Sequence, residues 1–124
     1  MFYRTDHREL NMSIVTNPPA PAVLHGLSRL RRLRATLQPA SLFAQPVLDM
    51  LLELLECQLR GQRISVSSLY MSAGVPAATA LRRIHEMEAQ GLIKCVEDPT
   101  DRRRKFIELS AITSSHLRGV MAAL

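Results

Sequence analysis

Length, composition and charge restrict the chain to a small, folded, basic protein. With 124 residues, of which 47% are hydrophobic, it can bury one core but hardly two, and this apolar content excludes general disorder. The net charge is +5, and fourteen of the sixteen basic residues are arginine, which favours a polyanionic partner. Codon bias in a GC-rich genome is an alternative cause of the arginine excess.

The sequence carries no sign of a metal, a cofactor, a membrane segment or an export signal. Cys57 and Cys95 lie far apart without a Cys-x-x-Cys pair, so neither a disulfide framework nor a zinc site is expected. No signal segment opens the chain, and no run of eighteen apolar residues occurs. We therefore expect a cytoplasmic protein without cofactors. Catalytic motifs are also absent, so we expect no enzyme.

The N-terminal part divides into an arm and a basic helix. Residues 1–22 include the run Asn-Pro-Pro-Ala-Pro, which disfavours helix and predicts a flexible arm. Over residues 23–38, leucines recur at near-helical spacing while arginines occupy the other faces, which predicts a basic amphipathic helix. Such a helix can pack on the domain or a second chain, bind phosphates, or lie on an anionic membrane. We favour packing, because the leucines need burial.

The clearest helical pattern covers residues 45–60. Its apolar stripe is regular and consists of Leu48, Leu51, Leu52, Leu55 and Leu59. The opposite face carries Glu53 and Glu56, which predicts a scaffold helix rather than a DNA contact. Residues 64–66 follow as a short β-rich run, and we interpret them as a third strand beside the wing, with a simple linker as the alternative.

Two further helices have the spacing of a helix-turn-helix motif. They are predicted over residues 66–73 and 76–90, with Gly74 in the turn between them. In the second helix Ala80, Ile84 and Met87 form an inward stripe, while small and basic residues occupy the other faces. Small side chains at the start of this helix would permit close approach to a DNA major groove. The pattern predicts a nucleic-acid recognition helix.

The C-terminal third predicts a wing and a last helix. Two β-rich runs within residues 92–109 flank turn residues and a run of basic charge, which indicates a hairpin with a basic tip. A helix capped by Ser110 or Thr113 is expected over residues 111–124. This helix either packs back on the domain or forms a dimer interface together with the 23–38 helix. Of the two alternatives we prefer the dimer interface. Residues 23–124 thus form one winged helix-turn-helix domain, mainly α with a small β wing and extra terminal helices.

Residues 79–93, followed by 98–103 and 109–110, resemble the multiple antibiotic resistance regulator (MarR) family of bacterial transcription factors, over roughly residues 43–112. The resemblance implies that the second helix reads the major groove, that wing arginines reach the minor groove or backbone, and that terminal helices form a homodimer. It puts the wing motif at Asp101, Arg102 and Arg103. Pro76 departs from the family's usual serine or threonine, and only fourteen residues follow Ser110, where the family has two long helices.

We therefore predict a transcription regulator that binds double-stranded DNA sequence-specifically. The alternative is a winged-helix protein-interaction module without DNA readout, because glutamates lower the charge of the recognition helix. No motif supports a small-molecule effector, which remains an open alternative. The predicted DNA contacts lie at the start of the first helix, along the recognition helix and in the wing: Ser65, Ser67, Ser68, Ala77, Ala78, Thr79, Arg82, Arg83, Arg102, Arg103, Arg104 and Lys105.

Overall fold

The computed structural model describes residues 18–39, 42 and 45–124. The predicted arm lies outside them up to residue 17. The described part of the chain forms five helices and three strands: α1 (Ala20–Thr36), α2 (Pro46–Leu59), β1 (Ile64–Ser65), α3 (Val66–Ser72), α4 (Ala77–Ala89), β2 (Ile93–Asp98), β3 (Asp101–Leu109) and α5 (Ala111–Ala122). The predicted fold class, mainly α with a small β wing, is confirmed.

Helix α1 begins at Ala20, three residues before the predicted start. Pro21 lies in its first turn, where a residue without an N–H group leaves no helical hydrogen bond unmade. Pro46 has the same place at the start of α2. Of the prolines that predicted a flexible arm, Pro19 is the N-cap of α1 and Pro21 lies within its first turn, so residues 20–22 belong to α1.

The three strands form one antiparallel sheet in the order β1–β3–β2. Strand β1 pairs with β3 through Ser65 and Phe106, and β2 pairs with β3 through Val96 and Phe106. The short run before α3 is thus a strand, as we favoured, and not a linker. Side chains alternate along β3, so Ile107 and Leu109 face the core while their neighbours lie on the outer face.

The core holds α4 firmly against α2. Ala80, Ile84 and Met87 are each no more than 2% exposed, which confirms the predicted inward stripe of the recognition helix. Burial of such side chains contributes about 1.5–3 kcal/mol each, so rotation of α4 about its axis is strongly opposed.

The apolar stripe of α2 differs from the predicted one. The structure buries Met50 and Leu54, whereas the predicted Leu48 is 38% exposed and Leu59 is half-buried. The physical reason is that α2 is covered on more than one side, by α1 as well as by α4 and β3. A helix enclosed in this way buries a wider arc than the single stripe that periodicity suggests.

The terminal helices α1 and α5 pack against each other within the chain. Their backbones approach so closely at Gly26 that a Cβ atom there would lie 1.7 Å from the carbonyl oxygen of Met121. The alternative in which α5 packs back on its own domain is therefore realised. Several apolar side chains of the two helices still remain exposed, namely Leu33, Ile112 and Val120, as does Leu124 just after α5.

Candidate nucleic-acid interface

The three predicted serines surround the start of α3, and one of them is its cap. The Ser65 hydroxyl oxygen accepts a hydrogen bond from the backbone N–H of Ser68 at 3.2 Å and lies 3.0 Å from the Ser68 hydroxyl. Ser67 and Ser68 are exposed in the first turn, while Ser65 is half-buried. Ser65 is therefore engaged in holding the helix. The hydroxyl group of Ser67 also lies 3.3 Å from that of Ser65, so both exposed serines are grouped around the cap.

The turn between α3 and α4 depends on Gly74. Its φ of +69° lies in the left-handed region, where residues with a Cβ atom are strained. Pro76 then occupies the N-cap position of α4 and makes no side-chain cap. The first turn of α4 therefore relies on neither a serine nor a threonine at its cap, in contrast to the family pattern.

The exposed face of α4 contains most of the predicted recognition residues. Ala77, Ala78 and Arg82 are exposed, whereas Thr79 and Arg83 are half-buried. Arg83 donates a hydrogen bond from Nη1 to Glu86 Oε2 at 3.0 Å.

The two neighbouring arginines of α4 thus differ in availability. Among the described residues Arg82 has no ion-pair or hydrogen-bond partner, while Arg83 is bound to Glu86. Arg82 is the cation of the recognition helix that is free to meet a ligand.

Asp98 organises the turn of the wing and is only 4% exposed. Its Oδ1 atom accepts hydrogen bonds from the Thr100 backbone N–H at 2.8 Å and from the Thr100 hydroxyl at 2.7 Å. Its Oδ2 atom accepts one from Arg104 Nε at 3.0 Å. The Thr100 hydrogen bonds, followed by the hydrogen bond and charge of Arg104, outweigh burial and lower the pKa of Asp98 to about 2. Asp98 is therefore ionised at neutral pH.

Arg104 also packs on an aromatic ring on the outer face of the sheet. The guanidinium carbons of Arg104 and Arg63 each lie 5.2 Å from the ring centroid of Phe106, within the range of a cation–π contact. Arg63 additionally lies 3.4 Å from a carboxylate oxygen of Glu108. Sequence reasoning did not single out Arg63, because only the pairing of β1 with β3 brings it beside Phe106.

The other basic side chains of the wing are exposed, as is 53% of the Arg104 side chain. They are Arg102, Arg103 and Lys105. The side chain of Arg103 is 94% exposed, and its Nε atom lies 3.5 Å from Asp101 Oδ1. The Asp101 carboxylate accepts a hydrogen bond from the Arg103 backbone N–H at 3.0 Å, which fixes the main chain at the tip. The wing thus combines a fixed backbone with extended basic side chains.

The recognition helix and the wing share one buried core. Met87 of α4, Ile93 of β2 and Ile107 of β3 are members of the same buried cluster. The available arginine of α4 and the basic wing are therefore held by a common core, although they come from different elements.

The basic helix α1 uses arginines for internal contacts. Arg34 forms an ion pair with Asp49, and Arg31 forms ion pairs with Glu53 and Glu56 of α2. The acidic face of the predicted scaffold helix is thus the binding surface for α1. This supports the packing interpretation of α1 over phosphate or membrane binding.

A half-open cavity of about 200 Å³ lies between the end of α2 and β3, lined by residues that include Cys57, Arg63 and Glu108. Burial, followed by the charges of Glu53 and Glu56, raises the pKa of Cys57 above its ordinary value.

The described residues contain no cluster of side chains suited to a metal ion. No helix within residues 18–39 and 45–124 has the length and apolarity needed to cross a membrane.

No family profile matches the sequence, and no curated protein matches it. Among solved structures, the heme sensor protein PefR from Streptococcus agalactiae in complex with heme has a TM-score of 0.54 at 18% identity, covering 82% of this chain and 67% of its own. MepR from S. aureus, in its DNA-binding conformation, has a TM-score of 0.54 at 18% identity and coverages of 81% and 72%.

A probable transcriptional regulator from Pseudomonas aeruginosa has a TM-score of 0.52 at 23% identity, covering 94% of this chain and 73% of its own. At these identities the likeness is one of fold. The winged helix-turn-helix fold that the resemblance to the MarR family implied is therefore confirmed, and the chain has the fold of these regulators.

Proposed function

We propose that this chain is a cytoplasmic transcription regulator of MarR type that binds double-stranded DNA sequence-specifically. The observation that carries the proposal is the pairing of an available arginine on α4 with a basic wing on the same core. Arg82 has no partner in the described part of the chain, and Arg103 is almost fully exposed at the wing tip. This is the arrangement with which winged-helix proteins engage a groove and the adjacent phosphates.

In this proposal α4 lies in the major groove. The small side chains of Ala77 and Ala78 allow its first turn to approach the base edges, and Thr79 follows at the margin of the contact. Arg82 is suited to bidentate hydrogen bonding with the O6 and N7 atoms of guanine. Arg83 must break its hydrogen bond with Glu86 before it can bind an acceptor on DNA. We therefore assign Arg83 to a flanking phosphate.

The wing and the start of α3 supply contacts to the backbone. Arg102, Arg103 and Lys105 are exposed and reach phosphates or the minor groove. The exposed hydroxyl groups of Ser67 and Ser68 are suited to phosphate oxygens. These contacts position the protein on DNA without reading sequence, and they make affinity depend on salt.

We further propose that two chains associate through their terminal helices. The exposed fractions of Leu33 and Ile112 are 58% and 77%, which leaves apolar surface available after α1 and α5 have packed together. In a two-fold dimer the two α4 helices would contact half-sites separated by about one helical turn of DNA or a multiple of it. Sedimentation analysis of the purified chain measures this association directly.

The roles of Arg82 and Arg103 are tested by binding titrations at two salt concentrations. Arg82→Ala should weaken binding to a preferred sequence by about 1–3 kcal/mol and relax sequence preference. Arg103→Ala should weaken all sequences alike and reduce the salt slope by about one. The control is Arg60→Ala, since Arg60 is ion-paired with Glu56 on the scaffold helix. Unchanged affinity in both test variants would contradict the proposal and favour the protein-interaction alternative.

A further inference from the structure

Arg104 differs from the other basic residues of the wing because a buried carboxylate binds it. Its Nε and Nη2 atoms each lie 3.0 Å from Oδ2 of Asp98, while Thr100 donates two hydrogen bonds to Oδ1. Both carboxylate oxygens are therefore used, one by the turn and one by the strand that follows it. Charge-assisted hydrogen bonds of this kind are among the stronger polar contacts in proteins.

The contacts of Asp98 and Arg104 connect the two strands of the wing. Asp98 ends β2 at an irregularity in its pairing with β3, and Arg104 lies on β3 beyond the turn. The guanidinium group also packs on Phe106, which Arg63, just before β1, contacts as well. Arg104 thus interacts with the turn and with the outer face of the sheet at the same time.

We propose that Asp98 and Arg104 are positioning residues, which hold the wing hairpin so that Arg102 and Arg103 face DNA, and that Arg104 itself makes no phosphate contact. This inference rests on the proposed function and differs from the sequence-based prediction, which placed Arg104 among the DNA contacts. A hairpin ordered before binding loses less conformational freedom in the complex, so its affinity for DNA is higher.

Replacing Asp98 separates positioning from simple charge. Asp98→Asn removes a negative charge close to a polyanion, and Coulomb attraction alone would then strengthen DNA binding. A positioning role predicts the opposite. The asparagine amide accepts a weaker hydrogen bond from Arg104 than the carboxylate does, so the hairpin becomes more mobile and the affinity for DNA falls about tenfold. The matched control is Glu97→Gln, which removes the same charge from an exposed neighbour without a partner in the described residues. It should leave affinity unchanged or slightly raise it.

Replacing Arg104 separates positioning from phosphate contact. Arg104→Lys keeps the positive charge but loses the two-nitrogen contact with Asp98 and the planar contact with Phe106. If Arg104 is a positioning residue, Arg104→Lys should weaken DNA binding nearly as much as Arg104→Ala does. The salt slope of Arg104→Lys should equal that of the unsubstituted chain. A phosphate contact predicts that lysine substitutes well and that only Arg104→Ala lowers the slope, as Arg103→Ala does.

The deciding experiment measures affinity and salt slope for these variants of the full chain, with amide NMR relaxation of the wing in the free protein. The inference is supported if Asp98→Asn and Arg104→Lys both bind DNA more weakly than the unsubstituted chain. Both variants should also show increased mobility at residues 100–103 and unchanged amide signals in α4. Affinity equal to that of Glu97→Gln in both variants overturns it. Absence of DNA binding by the unsubstituted chain overturns the proposed function, and this inference with it.

Discussion

The Asp98 carboxylate stabilises the wing turn only while it is ionised. Its pKa is lowered from 3.8 to about 2, so the stabilisation is complete above the unfolded value and is lost as pH falls through about 2. We therefore expect the Thr100 amide chemical shift to stay constant between about pH 6 and pH 3.5, where an ordinary aspartate titrates. An NMR titration checks this. A midpoint near the ordinary value would show that the Thr100 hydrogen bonds do not hold the carboxylate.

The two cysteine thiols are unsuited to act as nucleophiles at neutral pH. Burial, followed by the carboxylates of Glu53 and Glu56, raises the pKa of Cys57. Burial, followed by a hydrogen bond with Glu88, raises that of Cys95. Because the thiolate is the reactive form, both should react with iodoacetamide more slowly than free glutathione does at the same pH. Mass spectrometry of timed samples measures the rates, and faster labelling of either cysteine would contradict this picture.

At the scale of elements, the contact between α1 and α5 depends on the missing side chain of Gly26. A methyl group there would meet the backbone of Met121, which cannot move aside as a flexible side chain can. Gly26→Ala should therefore lower the free energy of unfolding by about 1–3 kcal/mol, despite the better helix propensity of alanine. Thermal or urea unfolding measures the change. Ser28→Ala, at an exposed position of the same helix, is the control and should be neutral or slightly stabilising.

The ion pairs between α1 and α2 should make a smaller contribution that depends on salt. Arg34→Gln removes a partly buried pair with Asp49 and should cost about 1 kcal/mol at low ionic strength, and less at high salt. Arg32→Gln is the control, since Arg32 is exposed on the same helix and has no ion-pair partner in the described residues. Equal unfolding midpoints for the two variants at low salt would show that the α1–α2 pairs do not hold the helices together.

The sequence predicts the elements well because most of them carry a local signal. Periodicity identifies α4, Gly74 sets the turn before it, and Ser110 caps α5 as one of the two expected caps. The wing follows from two β-rich runs with turn residues between them. These features depend on neighbours in the chain, so a single sequence is enough to find them.

Contacts between distant segments could not be predicted in the same way. The Phe106 contact with Arg63 exists only because β1 pairs with β3, and the double role of Asp98 depends on how the hairpin closes. Periodicity also cannot tell that α2 is covered from more than one side, which is why the exposure of Leu48 was not foreseen. Among the wing cations, sequence alone therefore did not separate Arg104 from Arg103.

At the scale of the whole molecule, the count of sixteen basic residues overstates the number of cations available to a partner. Arg31 and Arg34 are engaged by α2, Arg83 by Glu86, and Arg104 by Asp98. Apart from Arg83, which must first leave Glu86, the cations that our account assigns to the DNA backbone are Arg102, Arg103 and Lys105. With about three such contacts, the logarithm of affinity should fall with the logarithm of salt with a slope of about −3 per bound chain.

The most direct test of the central claim is fluorescence anisotropy of the purified chain with duplex DNA of random sequence. Between about 50 and 200 mM salt, a slope of that size lowers the affinity on the order of 50-fold. Our account predicts this loss, and selection from the same random pool should then yield a preferred sequence. Absence of binding at either salt concentration, or an affinity that does not change with salt, would contradict DNA binding by the recognition helix and the wing.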